Sequence, residues 1–451
     1  MRALLRRWPM LLVTLIFAFA MLFSACGEEE EEGGGGVTPG APTATKAPSG
    51  GEGDTTGVTD TEIKIATLLP MSNTTAAAWG VPLSKGMQAY YDYINDQGGI
   101  YGRKITLIVA DTQYTGPVAS EVARKVVEQD KVFAIQGSLG TAAHSAVWKY
   151  LEERGVPDMY ILTGNTKWTE PIAKTRFGFL VDYITEGRIL GKYIAENYQG
   201  KKLGIIAQND DFGKEGEKGL RMGVEENDGN MEIVVDYYDE AESDMTAHAQ
   251  RLQNENVDVI AFYGMPVQAG SIFKVTRTTL NWNVPIVITG VNAVEVVATL
   301  AGLDNIEGAV SVVFGHQAFE TDVPGIQAHH ELMAKYAAGT KPDNLTLTGA
   351  SISEAMVNLL IQAGPDLTRE SFIAAAESVC KFLCSTCLVP SSTSPTDHRP
   401  TEVEIYVRAT VDRSTDPPTF RWEPFGEPFG FESTKDCVEP TPPPGADEQP
   451  R

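Results

Sequence analysis

The chain has 451 residues and a formal net charge of −24, from 36 Lys and Arg against 60 Asp and Glu. No Lys- or Arg-rich block follows the N-terminal segment, which argues against nucleic acid as a partner, because such binding needs clustered cations that neutralise phosphates. The sequence after residue 60 is longer than the roughly 250–300 residues at which a single hydrophobic core stops growing, so at least two lobes are expected.

The N-terminus has the features of an export signal. Three arginines among the first seven residues precede an apolar run from Met10 to Phe23, and two small residues and Cys26 close the segment. The run is shorter than the roughly 20 residues that span a bilayer core, which favours a cleaved signal over a transmembrane anchor. The segment resembles a bacterial lipobox, with Phe23 where Leu is usual, so 1–26 is predicted to be a lipoprotein signal peptide with lipid attached at Cys26. An ordinary signal peptide with an incidental cysteine is the alternative.

Residues 27–60 are predicted to be a disordered tether. Five successive Glu, four Gly and a mixture of Pro, Thr, Ala, Ser and Gly supply few apolar side chains for a core. Such a segment lets a folded body stand off a membrane. The expected localisation is therefore extracytoplasmic, with a lipid anchor to the cell membrane.

Strands alternate with helices from residue 62 onward. Alternating apolar residues predict strands, and apolar residues three and four apart predict helices. In the first half, the predicted strands cover 63–67, 105–109, 132–135 and 159–162, and the predicted helices 83–94, 118–127 and 141–154. In the second half, the predicted strands cover 203–207, 233–235, 257–263, 284–288 and 309–314, and the predicted helices 216–227, 246–254 and 268–279. This alternation indicates parallel βαβ units and the α/β fold class.

Two successive α/β halves predict two similar lobes with a ligand cleft between them. Ligands of open α/β sheets lie beyond the carboxyl ends of the strands, so two facing lobes would hold one ligand from both sides. Closure about a hinge would then bury it.

The C-terminal part contains helical stretches at 326–338, 351–363 and 369–379, which are expected to return to the first lobe and so create a multi-strand hinge. Lobe 1 is accordingly predicted to comprise 61–180 and about 317–395, and lobe 2 to comprise 181–316. Strand-like segments at 403–407 and 420–422 could cap either lobe, and 396–433 is assigned to lobe 2. The acidic, Pro-rich tail 439–451 is predicted to be disordered.

Several short motifs occur in a specific order and spacing. They are Gly57–Ala66, Leu69-Pro70, Ile94-Asn95, Gly98–Gly102, Asp111, Gly137-Ser138, Val156-Pro157, Asn209–Gly213, Val257-Asp258, Tyr263-Gly264 and Asp397–Arg399. Over roughly residues 57–425 they resemble the branched-chain amino-acid (Leu/Ile/Val)-binding proteins, the type I periplasmic solute-binding family of ABC importers. The resemblance implies two Rossmann-like lobes joined by three crossovers, reversible capture of a small solute without chemistry, and an ABC permease as partner. No cofactor or metal is expected, and the protein is expected to be a monomer.

The loop Gly137–Thr141 is the first candidate ligand contact. It lies between a predicted strand and a predicted helix, where free amides and hydroxyls suit an anion. In the family this loop holds the ligand carboxylate, and Ser138 matches the position whose hydroxyl does so. Leu139 and Thr141 are included in the predicted site, although Thr141 could instead be a plain helix N-cap.

Three further positions within the predicted lobe 1 match the family site. Leu162 and Thr163 follow the fourth strand, where the family contacts the ligand's ammonium and carboxylate, although an ordinary loop threonine is an equal alternative. Trp79 lies near a position where the family often has an aromatic that closes over the ligand. Core packing is the simpler explanation for any single Trp.

Two departures from the family pattern bear on the ligand. Phe212 stands where relatives often carry Tyr, and Tyr263 completes the predicted aromatic contacts. Asn292 falls where amino-acid binders carry the glutamate that neutralises the ammonium. Because an amide lacks that charge, either a nearby acid such as Glu295 substitutes, or the ligand is an amide or a carboxylate without the amine.

Four cysteines near the C-terminus, Cys380, Cys384, Cys387 and Cys437, are predicted to form two disulfides. Three of them have the spacing of iron–sulfur ligands, but the export signal points to an oxidising compartment. The sequence leaves three pairings open. No nucleophile elbow, zinc-protease motif or P-loop occurs, which argues against a secreted hydrolase. The predicted function is capture of a branched-chain amino acid or a related carboxylate or amide for an importer. A ligand-sensing module that acts on a membrane signalling partner is the alternative.

Overall fold

The predicted alternation of strands and helices is present in a computed structural model, which describes residues 53–72, 76–381, 384–430, 437 and 439–450. The predicted signal peptide, Cys26 and most of the predicted tether lie outside these residues. Among the helices of the described ranges, none has the length and apolar character needed to cross a bilayer.

The first sheet is built from the N-terminal βα units. Its strands are β1 (Glu62–Leu69), β2 (Lys104–Asp111), β3 (Ala134–Gln136), β4 (Asp158–Ile161) and β5 (Arg176–Gly178). Its helices are α1 (Ala77–Asp96), α2 (Gly116–Glu128), α3 (Thr141–Ser145) and α4 (Trp148–Glu153). All five strands are parallel, in the order β2-β1-β3-β4-β5. Ile63 and Ile65 of β1 are fully buried, as the apolar alternation predicts.

The second sheet begins after α5 (Tyr183–Tyr198). Its parallel strands are β6 (Lys202–Gln208), β7 (Glu232–Tyr238), β8 (Val259–Tyr263), β9 (Ile286–Ile288) and β10 (Val310–Val313). They alternate with α6 (Asp211–Glu226), α7 (Thr246–Asn254), α8 (Pro266–Lys274), α9 (Glu295–Ala301) and α10 (Leu303–Ile306). Three helices follow, α11 (Pro324–Tyr336), α12 (Asn344–Ala363) and α13 (Arg369–Ala376), and then β11 (Glu404–Asp412) and β12 (Thr419–Phe429). The order is β12-β11-β10-β9-β8-β6-β7, and β11 and β12 are antiparallel to their neighbours.

The three late helices pack on the first lobe, and α12 runs against α1. A β-carbon on Gly86 would lie 1.9 Å from the Thr346 carbonyl oxygen, and one on Gly349 would lie 2.1 Å from the Leu83 carbonyl oxygen. The two glycines therefore allow the helix backbones to approach closely. We call the first sheet with α1–α4 and α11–α13 lobe 1, and the second sheet with α5–α10 lobe 2.

The chain passes between the lobes three times, as the family resemblance implied. The crossovers lie between β5 and α5, between β10 and α11, and between α13 and β11. They form a three-segment hinge, so the α/β two-lobed fold predicted from the sequence is confirmed.

The helix predicted over 141–154 is broken into α3 and α4. The Ser145 hydroxyl donates to the Thr141 carbonyl oxygen at 2.6 Å, a side-chain bond of the kind that competes with helix continuation. β5 and α5 were absent from the predicted elements. The apolar pattern therefore did not predict α5 (Tyr183–Tyr198), the helix that precedes the first strand of lobe 2.

Residues 53–60, placed in the tether by composition, pack on lobe 1. The Arg369 guanidinium forms an ion pair with Asp54 at 2.8 Å, and the Asp54 amide donates to Glu370 Oε2 at 2.9 Å. The folded body thus begins several residues before β1.

The tail over 439–450 differs from the disorder that its composition predicts. The Tyr101 amide donates to Gln449 Oε1 at 2.6 Å, and Gln362 Nε2 donates to the Thr441 carbonyl oxygen at 3.3 Å. Ala446 is buried in a short 3₁₀ turn. Contacts with lobe 1, which composition does not reveal, order these residues.

Two disulfides are present, as predicted, and their pairing is Cys380 with Cys437 and Cys384 with Cys387. The first joins residues 57 apart and fastens the tail to the third crossover. The second joins residues only three apart within that crossover.

Replacing Cys380 and Cys437 together by Ser is expected to lower the free energy of unfolding by about 3 kcal/mol, because a cross-link over a long loop restricts the unfolded chain most. Denaturant unfolding would measure the loss, and limited proteolysis would report release of the tail. The matched control replaces Cys384 and Cys387 by Ser, for which about half that loss is expected. Equal losses for the two pairs would contradict the prediction.

Candidate functional site

The predicted contacts of lobe 1 come together at the carboxyl ends of β3 and β4. The Leu162 amide donates to the Ser138 carbonyl oxygen at 2.9 Å, and Leu139 and Leu162 form a β-bridge. Ser138 is 1% exposed, and its Oγ has no hydrogen-bond partner among the described residues. The loop is thus fixed by its backbone, while one buried hydroxyl is left unpaired.

Thr141 and Thr163 are joined side chain to side chain. Their hydroxyl oxygens lie 2.5 Å apart, and Thr163 Oγ1 lies 3.2 Å from the Tyr183 hydroxyl. Gly140, not Thr141, occupies the N-cap position of α3, so the plain N-cap alternative for Thr141 is wrong. Because α3 has only five residues, the helix dipole supports anion binding less than the predicted longer helix would.

An aromatic cluster adjoins these hydroxyls. The ring of Tyr183 lies 4.6 Å from that of Phe212 and 5.8 Å from that of Tyr263, and the Phe212 and Tyr263 rings lie 5.2 Å apart. All three side chains are buried. Sequence reasoning missed Tyr183 because it belongs to α5, which the apolar pattern did not predict.

Asn292 is fully buried and forms its side-chain hydrogen bond within lobe 2. Its Nδ2 donates to the Gly264 carbonyl oxygen at 2.8 Å, while its Oδ1 has no partner among the described residues. Glu295, the acid considered as a substitute, instead accepts the Asn344 amide of α12 at 3.4 Å. Burial raises the pKa of Glu295 to about 7.

Direct hydrogen bonds join the two lobes across the cleft. The Thr166 amide and hydroxyl donate to the Glu215 carboxylate at 3.0 and 2.5 Å, and Lys167 Nζ lies 2.7 Å from Asp211 Oδ2. The Tyr114 hydroxyl donates to the sulfur of Met265 at 3.4 Å. The lobes are therefore in a closed arrangement.

Glu215→Ala is expected to weaken solute binding about tenfold, because it removes the acceptor that holds the lobe 1 loop in the closed state. The free energy of unfolding should change by less than about 1 kcal/mol, as for other partly exposed polar contacts. Calorimetry with the solute that co-purifies would measure the affinity. Small-angle scattering would measure closure of the lobes. Glu217→Ala in the same helix is the control, since Glu217 binds Arg221 within lobe 2. Equal affinities for Glu215→Ala and wild type would contradict the prediction.

A cavity of about 110 Å³ lies within the closed cleft. It is far smaller than the roughly 300–1,000 Å³ of drug-sized pockets, so it suits a small molecule. Both lobes, α12 and all three crossovers contribute to its wall. The wall is mainly apolar and includes Trp79, Leu83, Val291, Val294, Phe314 and Leu345.

Only some predicted site residues line this cavity. Trp79, Leu139 and Leu162 do so. The other six, which lie outside its wall, are Ser138, Thr141, Thr163, Phe212, Tyr263 and Asn292.

Two acids missed by sequence reasoning also line the cavity. Glu186 in the first turn of α5 accepts the Thr289 hydroxyl at 2.5 Å, and Glu404 begins β11. Burial raises the pKa of Glu186, and burial together with the charges of Glu186 and Asp182 raises the pKa of Glu404 well above its usual range. The signal for Glu404 was an acid inside an apolar strand pattern, Val403–Val407. Among the described residues, no group of three or more His, Cys, Asp and Glu side chains is placed to hold a metal ion.

Comparisons with known proteins agree with this geometry. A family model described as "Periplasmic binding protein" matches residues 62–412. The Leu/Ile/Val-binding protein BraC3 of Rhizobium johnstonii is 26% identical over 219 residues, which are 47% of this chain and 57% of that protein. The chain spans about half the length of the curated relatives it matches.

Two solved structures share the fold. A branched-chain amino acid ABC transporter protein from Thermus thermophilus with bound valine superimposes with a TM-score of 0.71 at 19% identity, over 83% of this chain and 97% of that one. A fatty acid ABC transporter substrate-binding protein from Thermomonospora curvata gives 0.70 at 21% identity, over 82% and 94%.

Proposed function

The chain belongs to the periplasmic binding protein family, in its type I branched-chain amino-acid group, and on that premise we propose that it is the substrate-binding protein of an ABC importer. Proteins of this family bind solutes and are not enzymes. The proposed cargo is a small organic solute with an apolar body, such as a branched-chain amino acid or a related carboxylate or amide.

The cavity of about 110 Å³ between the closed lobes carries this proposal. Its wall combines lobe 1, lobe 2 and the crossovers, so opening of the hinge would separate the wall and release the contents. Its apolar surface favours a hydrocarbon body over a sugar, because sugar hydroxyls need many polar partners.

Trp79, Leu139 and Leu162 are assigned to direct solute contact, because they line the cavity. Ser138 lies outside the wall, so no contact with the solute is assigned to it, although its buried hydroxyl has no hydrogen-bond partner among the described residues. Thr141, Thr163, Phe212, Tyr263 and Asn292 are assigned a positioning role, because their polar atoms and rings contact other protein groups behind the wall.

Mass spectrometry of the native protein, and of the small molecules that it releases on denaturation, would identify the solute that co-purifies. Calorimetry with leucine and with its deaminated keto acid would then compare two members of the proposed class. Saturable binding of one small organic solute, accompanied by a smaller radius of gyration, is expected. Binding of a sugar or a metal ion, with no binding of the organic acids, amides or amines tested, would overturn the proposal.

The importer role and the anchor need cellular tests. Deletion of the gene should abolish uptake of the identified solute, and the wild-type gene should restore it. Unchanged uptake together with a lost transcriptional response would favour the sensing alternative. Metabolic labelling with a fatty acid should mark the wild-type protein and not the Cys26→Ser variant if Cys26 carries lipid.

A further inference from the structure

Two buried carboxyl groups from distant parts of the chain meet at the wall of the cavity. Glu186 follows the first crossover and is 4% exposed, and Glu404 follows the third crossover and is 2% exposed. Both line the cavity. The hinge therefore brings the acids that follow two different crossovers to the wall of the same, mainly apolar cavity.

The acids of this region differ in their hydrogen-bond and ion-pair partners. Asp182 accepts the amides of Ile184 and Thr185, and Arg399 lies 3.7 Å from it. Glu186 accepts the Thr289 hydroxyl. Glu404 Oε2 is buried without a hydrogen-bond partner among the described residues.

The groups that act on Glu404 do not supply a counter-charge. Glu186 and Asp182 are acids, and the other titratable groups that interact with Glu404 are the hydroxyls of Tyr263 and Tyr406. A buried carboxyl oxygen without a partner is costly, so a group in the cavity that donates to it would be bound favourably. A cation is the best such group, because it also offsets the repulsion between the two acids.

We propose that the solute carries a protonated amine, which binds Glu404 with support from Glu186, while its apolar body fills the rest of the cavity. This inference rests on the proposed function and narrows its solute class to small primary amines with a hydrocarbon body. Glu404, at the start of β11, takes the counter-charge role for which Asn292 is chemically unsuited, at a different point of the cleft.

Pairs of probes with the same carbon skeleton test this inference. Calorimetry on the mature protein would compare 3-methylbutylamine with 3-methylbutan-1-ol, and n-butylamine with butan-1-ol. Each amine is expected to bind at least tenfold more tightly than its alcohol. Alcohols that bind as tightly as the amines, or a lack of binding by both amines, would overturn the inference.

Variants separate the role of the charge from a change in the fold. Glu404→Gln should weaken amine binding about 100-fold and alter alcohol binding less than threefold. Glu404→Asp, which keeps the charge, should retain a preference for the amine and covers the case in which Glu404→Gln does not fold. Glu423→Gln, at an exposed position on the adjacent strand β12, is the matched control and should bind like wild type. Equal loss of amine and alcohol binding in Glu404→Gln would overturn the inference.

The proposed function and this inference can fail separately. If the solute that co-purifies is a neutral or anionic compound whose affinity is unchanged by Glu404→Gln, the solute-binding function stands and the amine inference is wrong. If neither a co-purifying solute nor any probe binds saturably, both are wrong.

Discussion

Ala293→Leu is expected to abolish solute binding while the fold remains intact. Ala293 is buried and lines the cavity, and leucine adds three carbon atoms to a space of about 110 Å³. The solute and the new side chain would compete for the same volume, so affinity should fall about 100-fold or more, which corresponds to about 2.8 kcal/mol. Calorimetry with the co-purified solute measures this loss.

The same substitution should leave the free energy of unfolding within about 1 kcal/mol of wild type or raise it, because filling a cavity commonly stabilises a protein. Ala334→Leu, at an exposed position on α11, is the matched control and should leave binding unchanged. Full solute affinity in Ala293→Leu would show that the solute binds elsewhere.

Arg369→Met is expected to lower the free energy of unfolding by about 4 kcal/mol, because two buried carbonyl groups would each lose a charged donor at a cost of about 1–3 kcal/mol. Arg369 is 5% exposed, and its guanidinium donates to the carbonyl oxygens of Phe133 and Val132 at 2.9 and 2.8 Å. It also forms the ion pair with Asp54. Methionine would fill much of the space but leave two buried carbonyl groups and one carboxylate without their donor. Denaturant unfolding measures the loss.

Asp54→Asn is the control for Arg369→Met, because it removes only the charge of the partner, whose side chain is 41% exposed. A loss of about 1 kcal/mol or less is expected for it, since exposed ion pairs contribute little. Similar losses in the two variants would mean that the ion pair, and not the donors to the Val132 and Phe133 carbonyls, provides most of the stabilisation.

Apolar periodicity predicted most of the fold because strands and helices of this chain each have one buried face. The helix over Thr246–Asn254 has the predicted bounds, and β1 and β2 differ from prediction by one or two residues at each end. β5 has only three residues, Arg176–Gly178, too few to show an alternation. The ordered tail depends on partners far away in sequence, such as Tyr101, which no local pattern reveals.

The site was harder to predict than the fold. Family matches located Trp79, Leu139 and Leu162, which line the cavity, because strand ends and the loops after them keep their order along the chain. Phe212 and Tyr263 also lie together, but their rings pack on Tyr183 outside the cavity wall. The acids of the wall follow crossovers whose paths depend on how the lobes meet. Their proximity is a property of the hinge and not of any segment.

The attachment of both ends of the folded body to lobe 1 makes the two lobes mechanically unequal. Asp54 forms an ion pair with Arg369 of α13, and the tail forms hydrogen bonds with Tyr101 and Gln362. Lobe 2 is joined to the remainder of the chain through the three crossovers. Any force applied to the chain at Asp54 or at the tail would therefore act first on lobe 1, and lobe 2 would be the lobe that is free to move when the hinge opens.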